Sequence, residues 1–183
     1  QEKYLYILVD EFQDTSGTQN RLVELLINFW DKPNIFVVGD DDQSIFRFQG
    51  ASMNNMLEFA DKYRKDLLTV VLSNNYRSTQ PILDVSKALI SLNAERLVNQ
   101  IEGLNKDLIS SNEKNRTLTN LPVIREYDTE RSEMIDIVNR VEALITAGTS
   151  PGNIAIIYKE NKYGEELLRF FKLKNLPVYS RRS

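Results

Sequence analysis

A chain of 183 residues, 42% hydrophobic and 27% charged, has an ordinary globular composition and is long enough to bury a sizeable core in one or two domains. It contains no cysteine and no histidine, which excludes disulfide frameworks, cysteine-based zinc or iron–sulfur sites and imidazole catalysis; carboxylates, Lys, Arg, Tyr and amides remain for any chemistry. Lys plus Arg total 23 against 26 Asp plus Glu, a formal charge of -3 that argues against a broad basic nucleic-acid footprint and leaves room only for a narrow groove that stacks bases.

Residues 4–14 read YLYILVDEFQD, an apolar run that ends in two adjacent carboxylates, Asp10 and Glu11. Such a run, rich in Tyr, Ile and Val, predicts a strand buried on both faces of a parallel sheet. Leu22, Val23, Leu25, Leu26, Phe29 and Trp30 then recur at helical spacing, and Asp31, Lys32, Pro33 and Asn34 end that helix. A second strand over 35–38 follows and completes a βαβ unit, whose crossover is expected to be parallel and right-handed. It too ends in polar residues: Gly39, Asp40, Asp41, Asp42 and Gln43. Two strands thus bring carboxylates to one sheet edge, where ligands bind in open α/β sheets.

Further along, Ser52 is a predicted N-cap for a helix over 53–63 with Met56, Leu57 and Phe59 on its buried side. Residues 67–72 predict another buried strand, and 80–92 a helix with Pro81 in its first turn. Asparagines and charges dominate 93–121, and 105–120 reads as a surface loop. Strands are expected over 123–127, 154–158 and 177–179. Helices are expected from the Thr129 cap to about Ala147, with Ile135, Val138, Val141 and Leu144 inward, and over 165–173. No repeat or low-complexity tract appears, no run approaches the roughly 18 apolar residues of a membrane span, and no basic-then-apolar leader opens the chain, so a cytoplasmic protein without membrane contact is expected.

Three stretches carry a resemblance. Asp10-Glu11-Phe12-Gln13-Asp14, then Val38-Gly39-Asp40-Asp41-Asp42-Gln43-Ser44-Ile45-Phe46, then Asn75-Tyr76-Arg77-Ser78 resemble helicase motifs II, III and IV of the UvrD/Rep family of superfamily 1 DNA helicases, in order and at plausible spacing. Weaker likeness continues at 93–96 and 154–161. The resemblance implies an α/β, three-layer P-loop NTPase (RecA-like) fold with parts of two motor domains, 1–66 carrying motifs II and III and 67–183 carrying motif IV. That boundary comes from the resemblance, because the sequence offers no linker there.

It also implies ATP and Mg2+ as cofactors, and single-stranded DNA and duplex junctions as partners. Asp10 then holds the metal, Glu11 activates the attacking water, Gln43 senses the γ-phosphate, Arg77 reaches the same phosphate from the second domain, and Tyr76 stacks on adenine. Phe46, Arg47, Phe48 and Gln49 fall on the loop that meets DNA, with the Phe48 position stacking on a base. The family pattern there is tyrosine, glycine, tryptophan and arginine; Gln49 cannot supply a cationic phosphate contact, which leaves Arg47 to replace it. Plainer readings stand beside these: Asp10 and Glu11 starting a turn that faces water, Gln43 capping a turn after Asp42, Phe46 in the core, and a solvated Arg77 beside a buried Tyr76. Asp40, Asp41 and Asp42 would repel phosphate unless a metal or an arginine intervened, and most of them are expected to organise the turn.

No stretch matches G-x-x-x-x-G-K-[ST], and the seven glycines are scattered. Motifs V and VI are missing as well, and a parallel strand with nothing upstream is an odd start for a domain. The chain therefore reads as a fragment that would not hydrolyse ATP well alone. Rival readings are a non-catalytic helicase-like DNA-binding or scaffolding subunit of a helicase–nuclease complex, and a nuclease using Asp10, Asp40 and Asp41.

Overall fold

The structure is a computed structural model that describes residues 4–44 and 53–180. It divides into two compact units, Gln1–Pro122 and Val123–Ser183. Among the described residues, helices and two small parallel sheets, each of two strands, make a mixed α/β architecture. The Ser52 cap and the loop residues Phe46, Arg47, Phe48 and Gln49 lie outside the described residues.

In the first unit, strand β1 (Ile7–Val9) pairs in parallel with β2 (Ile35–Val37), Ile7 opposite Ile35 and Val9 opposite Val37. Helix α1 (Gly17–Ile27) connects them. Its start is fixed by a reciprocal capping box, in which the Ser16 hydroxyl accepts from the Gln19 amide and the Gln19 side chain accepts from the Ser16 amide. Just beyond α1, the Trp30 indole donates to the Tyr4 carbonyl at 3.2 Å and ties the helix exit to the strand entry. Helix α2 (Met53–Lys62) sets Phe59 edge-on to Phe12 with ring centroids 5.5 Å apart, and the Asn55 amide donates to the Thr15 carbonyl. Phe12 is wholly buried and forms the heart of this layer.

The parallel pairing of the βαβ unit is as expected, but β1 is not buried on both faces. Leu8 is 72% exposed and its partner Phe36 61%, because no described element packs on that face of the ladder. The strand expected over 67–72 is also absent. Pairing begins only at β3 (Asn74–Asn75), which runs parallel to β4 (Ile109–Ser110) inside the stretch expected to be loop. Helix α3 (Gln80–Ile90) follows β3 with Pro81 in its first turn, as predicted.

The second unit is built on α4 (Glu130–Thr146) and α5 (Asn161–Leu173). Thr129 caps α4 by accepting from the Ser132 amide at 3.1 Å. Met134, Val138 and Val141 of α4 meet Leu167 and Phe171 of α5 in one buried cluster. Ile135 and Leu144, expected inward, are instead exposed: the buried stripe follows the 3.6-residue helical period rather than a strict spacing of three. Residues 154–158 alternate in burial, with Ile154 and Ile156 turned to the cluster and Ile157 95% exposed, but they form no ladder, and neither do 123–127 or 177–179. Buried Gly164 lies beneath Tyr158, so close that a Cβ would stand 2.3 Å from that ring.

Candidate functional site

Parallel pairing puts the carboxyl ends of β1 and β2 side by side. The Val38 amide donates to the Val9 carbonyl and the Phe12 amide to the Val38 carbonyl, both at 2.9 Å, so the segment after Val9 and the segment after Val38 leave the sheet together. Gly39 permits that approach: a Cβ there would stand 2.8 Å from Gln13 Oε1 and 3.3 Å from the amides of Phe12 and Gln13. Asp10, Glu11 and Gln43 accordingly belong to one edge.

Gln13, only 1% exposed, joins the two segments. Its side-chain amide donates to Glu11 Oε2 at 2.7 Å, its Oε1 accepts from the Asp40 amide at 3.1 Å, and its carbonyl accepts from the Ser44 hydroxyl. Glu11 itself holds φ 49° and ψ 44°, a left-handed conformation that costs a non-glycine residue about 1–2 kcal/mol. The Asp10 carboxylate steadies it by accepting from the Glu11 amide at 3.0 Å. Asp10 and Glu11 are both exposed at this edge.

The acidic turn 40–42 is charge-compensated. Asp40 accepts from the Asp42 amide at Oδ1 and from the Gln43 side-chain amide at Oδ2, 2.8 Å away. Lys106 sends its ammonium among all three carboxylates, pairing with Asp40, with Asp41 at 2.6 Å and with Asp42 at 3.1 Å. Arg96 grips Asp42 through two bonds of 2.7 Å, Nε to Oδ1 and a terminal nitrogen to Oδ2. Buried Asp41 also accepts from the Leu97 amide at 2.8 Å. Burial pushes the Asp42 carboxyl upward, but the bonds from Arg96 and Lys106 outweigh it and hold the group below its ordinary range. Lys106 is held above the ordinary lysine value for the complementary reason: Asp40 and Asp41 outweigh its burial.

Among the described residues, Asp40, Asp41 and Asp42 are the one group of carboxylates that converge as metal ligands could, within 4.8 Å. Two cations already sit on them, so their oxygens serve ion pairs. Lys106 pairs with both Asp40 and Asp41, an arrangement that does not favour the nuclease reading. Asp10 is exposed, and among the described residues its second oxygen accepts no hydrogen bond; a hard carboxylate oxygen is of the type that suits Mg2+.

Motif IV starts at Asn75, the last residue of β3, and continues just past the strand. The Asn75 side chain accepts from the amides of Arg77 and Ser78 at 3.0 and 2.7 Å, and the carbonyls of Tyr76 and Arg77 accept from Asn112 and Asn115. The Tyr76 ring is exposed, as is Arg77, so the alternative of a buried Tyr76 falls away. Among the described residues, no hydrogen bond or ion pair joins the Arg77 guanidinium to Asp10, Glu11 or Gln43.

Comparison with known proteins bears on this arrangement directly. The model of the UvrD/REP helicase N-terminal domain matches residues 1–64, and that of the UvrD-like helicase C-terminal domain matches residues 70–181. The chain belongs to the UvrD-like helicase family. Its UvrD-like domains imply a P-loop NTPase fold. The ATP-dependent DNA helicase PcrA of Staphylococcus epidermidis is 35% identical over 179 residues, 97% of this chain and 22% of that protein. A probable DNA helicase II homolog of Mycoplasma capricolum is 32% identical over 175 residues, 95% of this chain and 22% of the relative. A putative ATP-dependent DNA helicase, YjcD of Bacillus subtilis, is 29% identical over 177 residues, again 97% and 22%. The chain therefore spans about a fifth of the length of the curated relatives it matches.

Three residues at this edge carry no signal of their role in the sequence. Gln13 stood inside the quoted motif II stretch without a role, and Arg96 within the weak likeness at 93–96. Lys106 sits in an asparagine-rich stretch with no local signal at all.

Proposed function

We propose that this chain is the central segment of an ATP-dependent DNA helicase that couples ATP hydrolysis to movement along single-stranded DNA, in the 3′ to 5′ direction, and to duplex unwinding. The observation that carries it is the hydrogen-bonded run from Glu11 through Gln13 to Asp40 and Gln43, which joins the ends of two parallel strands at one edge. The names of the relatives, ATP-dependent DNA helicases among them, support the same activity.

Within this proposal the fold is three-layer and RecA-like, with parts of two motor domains over 1–66 and 67–183; the two family matches, ending at 64 and resuming at 70, support that division. Asp10 would hold Mg2+, which when bound would neutralise phosphate charge. Glu11, with Oε2 held by Gln13, takes the proton of the attacking water at its other oxygen. Gln43, whose amide nitrogen gives one hydrogen to Asp40, keeps its second N–H to donate to a γ-phosphate oxygen. Arg77 stabilises charge developing on that phosphate, and exposed Tyr76 stacks on adenine. By resemblance, Phe46, Arg47, Phe48 and Gln49 contact single-stranded DNA. No helix among the described residues is long and apolar enough to cross a membrane, and a cytoplasmic location is proposed with the function.

The scaffolding alternative lacks a favouring observation. The test is strand separation by the full-length gene product on duplexes bearing a 3′ or a 5′ single-stranded tail. ATP-dependent unwinding of the 3′-tailed substrate is expected, and its loss in Glu11→Gln; DNA binding without ATP-dependent unwinding of either substrate would overturn the proposal.

A further inference from the structure

Asp40 is shared. Its Oδ2 holds the Gln43 amide nitrogen and its Oδ1 pairs with the Lys106 ammonium, so the carboxylate that aims Gln43 is itself oriented by a lysine 66 residues away in sequence. Three consecutive acids would repel one another and open this turn. One ammonium at their convergence, reinforced by the paired bonds from Arg96 and by the Leu97 amide on Asp41, holds it shut. The acids and Gln43 lie in the segment matched by the N-terminal domain model, whereas Arg96, Leu97 and Lys106 lie in that matched by the C-terminal domain model.

We propose that Lys106 is a positioning residue for ATP turnover: acting through Asp40, and seconded by Arg96, it fixes the direction of the Gln43 side chain from the other matched segment. This rests on the reading of Gln43 as the γ-phosphate contact. Lysine suits the task because an ammonium is a compact charge with three donors that can meet three carboxylates at one point. The planar fork of arginine is matched to one carboxylate, as Arg96 is to Asp42, and fits three converging on one point less well.

Lys106→Arg therefore keeps the charge and the fold but not the convergence. In the full-length gene product this variant is expected to lower kcat about tenfold, with KM for ATP within about threefold and the melting temperature within a few degrees. In a Gln43→Ala background it should lower kcat by less than about twofold more, because the group it positions is gone. Full multiplication of the two effects, or parental kcat in Lys106→Arg, would overturn the proposal. Should the parent protein show no ATP turnover, the helicase reading fails by itself, and Lys106 is judged by hydrogen exchange instead. The Asp40, Asp42 and Gln43 amides, bonded to Gln13 Oε1, Asp40 Oδ1 and the Asp40 carbonyl, should exchange at least about tenfold faster in Lys106→Met. Unchanged exchange there would overturn it.

Discussion

At the scale of single residues, Gly39 decides whether the two loops can share an edge. Its missing Cβ is what lets Gln13 reach the Asp40 amide, and Gly39→Ala must push Gln13 Oε1 back from 2.8 Å. The expected cost is about 1–3 kcal/mol in a urea unfolding titration, the range for overfilling a packed site. Gln13→Ala in the same background should recover part of it; an additive loss would mean that the clash lies elsewhere. Asp10 and Glu11 were legible in the sequence because an apolar run stopping at acids marks the end of a strand. Gln13 was not, since an amide gains importance only from what folds against it. The left-handed Glu11 backbone was equally invisible, as glutamate has no special preference for that conformation.

At the scale of elements, the helices were readable and several strands were not. A helix satisfies its own backbone and announces itself by period and caps, as Thr129 and Pro81 do here. A strand needs a partner that its own residues do not name. Residues 67–72, 123–127, 154–158 and 177–179 carry strand-like apolar patterns yet form no ladder, while β4, two residues in a stretch rich in Asn and Ser, pairs with β3. In the second unit, Gly164 lets α5 lie under Tyr158. Gly164→Ala should lower stability by about 1–3 kcal/mol, measured by thermal or urea unfolding. Combining it with Tyr158→Ala should cost less than the sum of the two single changes, because one change removes the other's clash.

At the scale of the whole chain, the long-range ion pairs of Arg96 and Lys106 tie residues 40–42 to a segment more than fifty positions later. Removing Arg96 leaves Asp42 partly buried with one partner fewer, and Arg96→Ala should cost about 3 kcal/mol at neutral pH, the low end for breaking a buried pair. The pH dependence has a definite sign. Asp42 is held below its ordinary value of 3.8, so its contribution is fully present above that pH and fades as pH falls through the lowered folded value. Lys106 is held above 10.5, so its contribution is full below that pH and is lost as pH rises through the raised value. The deficit of Arg96→Ala should accordingly shrink below about pH 4 in unfolding titrations against pH. A deficit that persists undiminished into acid would assign the loss to packing of the Arg96 stem.

The central claim, an ATP-driven motor that works on single-stranded DNA, is tested most directly by steady-state ATP hydrolysis of the full-length gene product with and without single-stranded DNA, in the parent and in Glu11→Gln. Turnover that DNA stimulates and that the substitution lowers by about 10²- to 10⁴-fold is the expected result. Absence of DNA-stimulated turnover in the parent, or full turnover in Glu11→Gln, would contradict it.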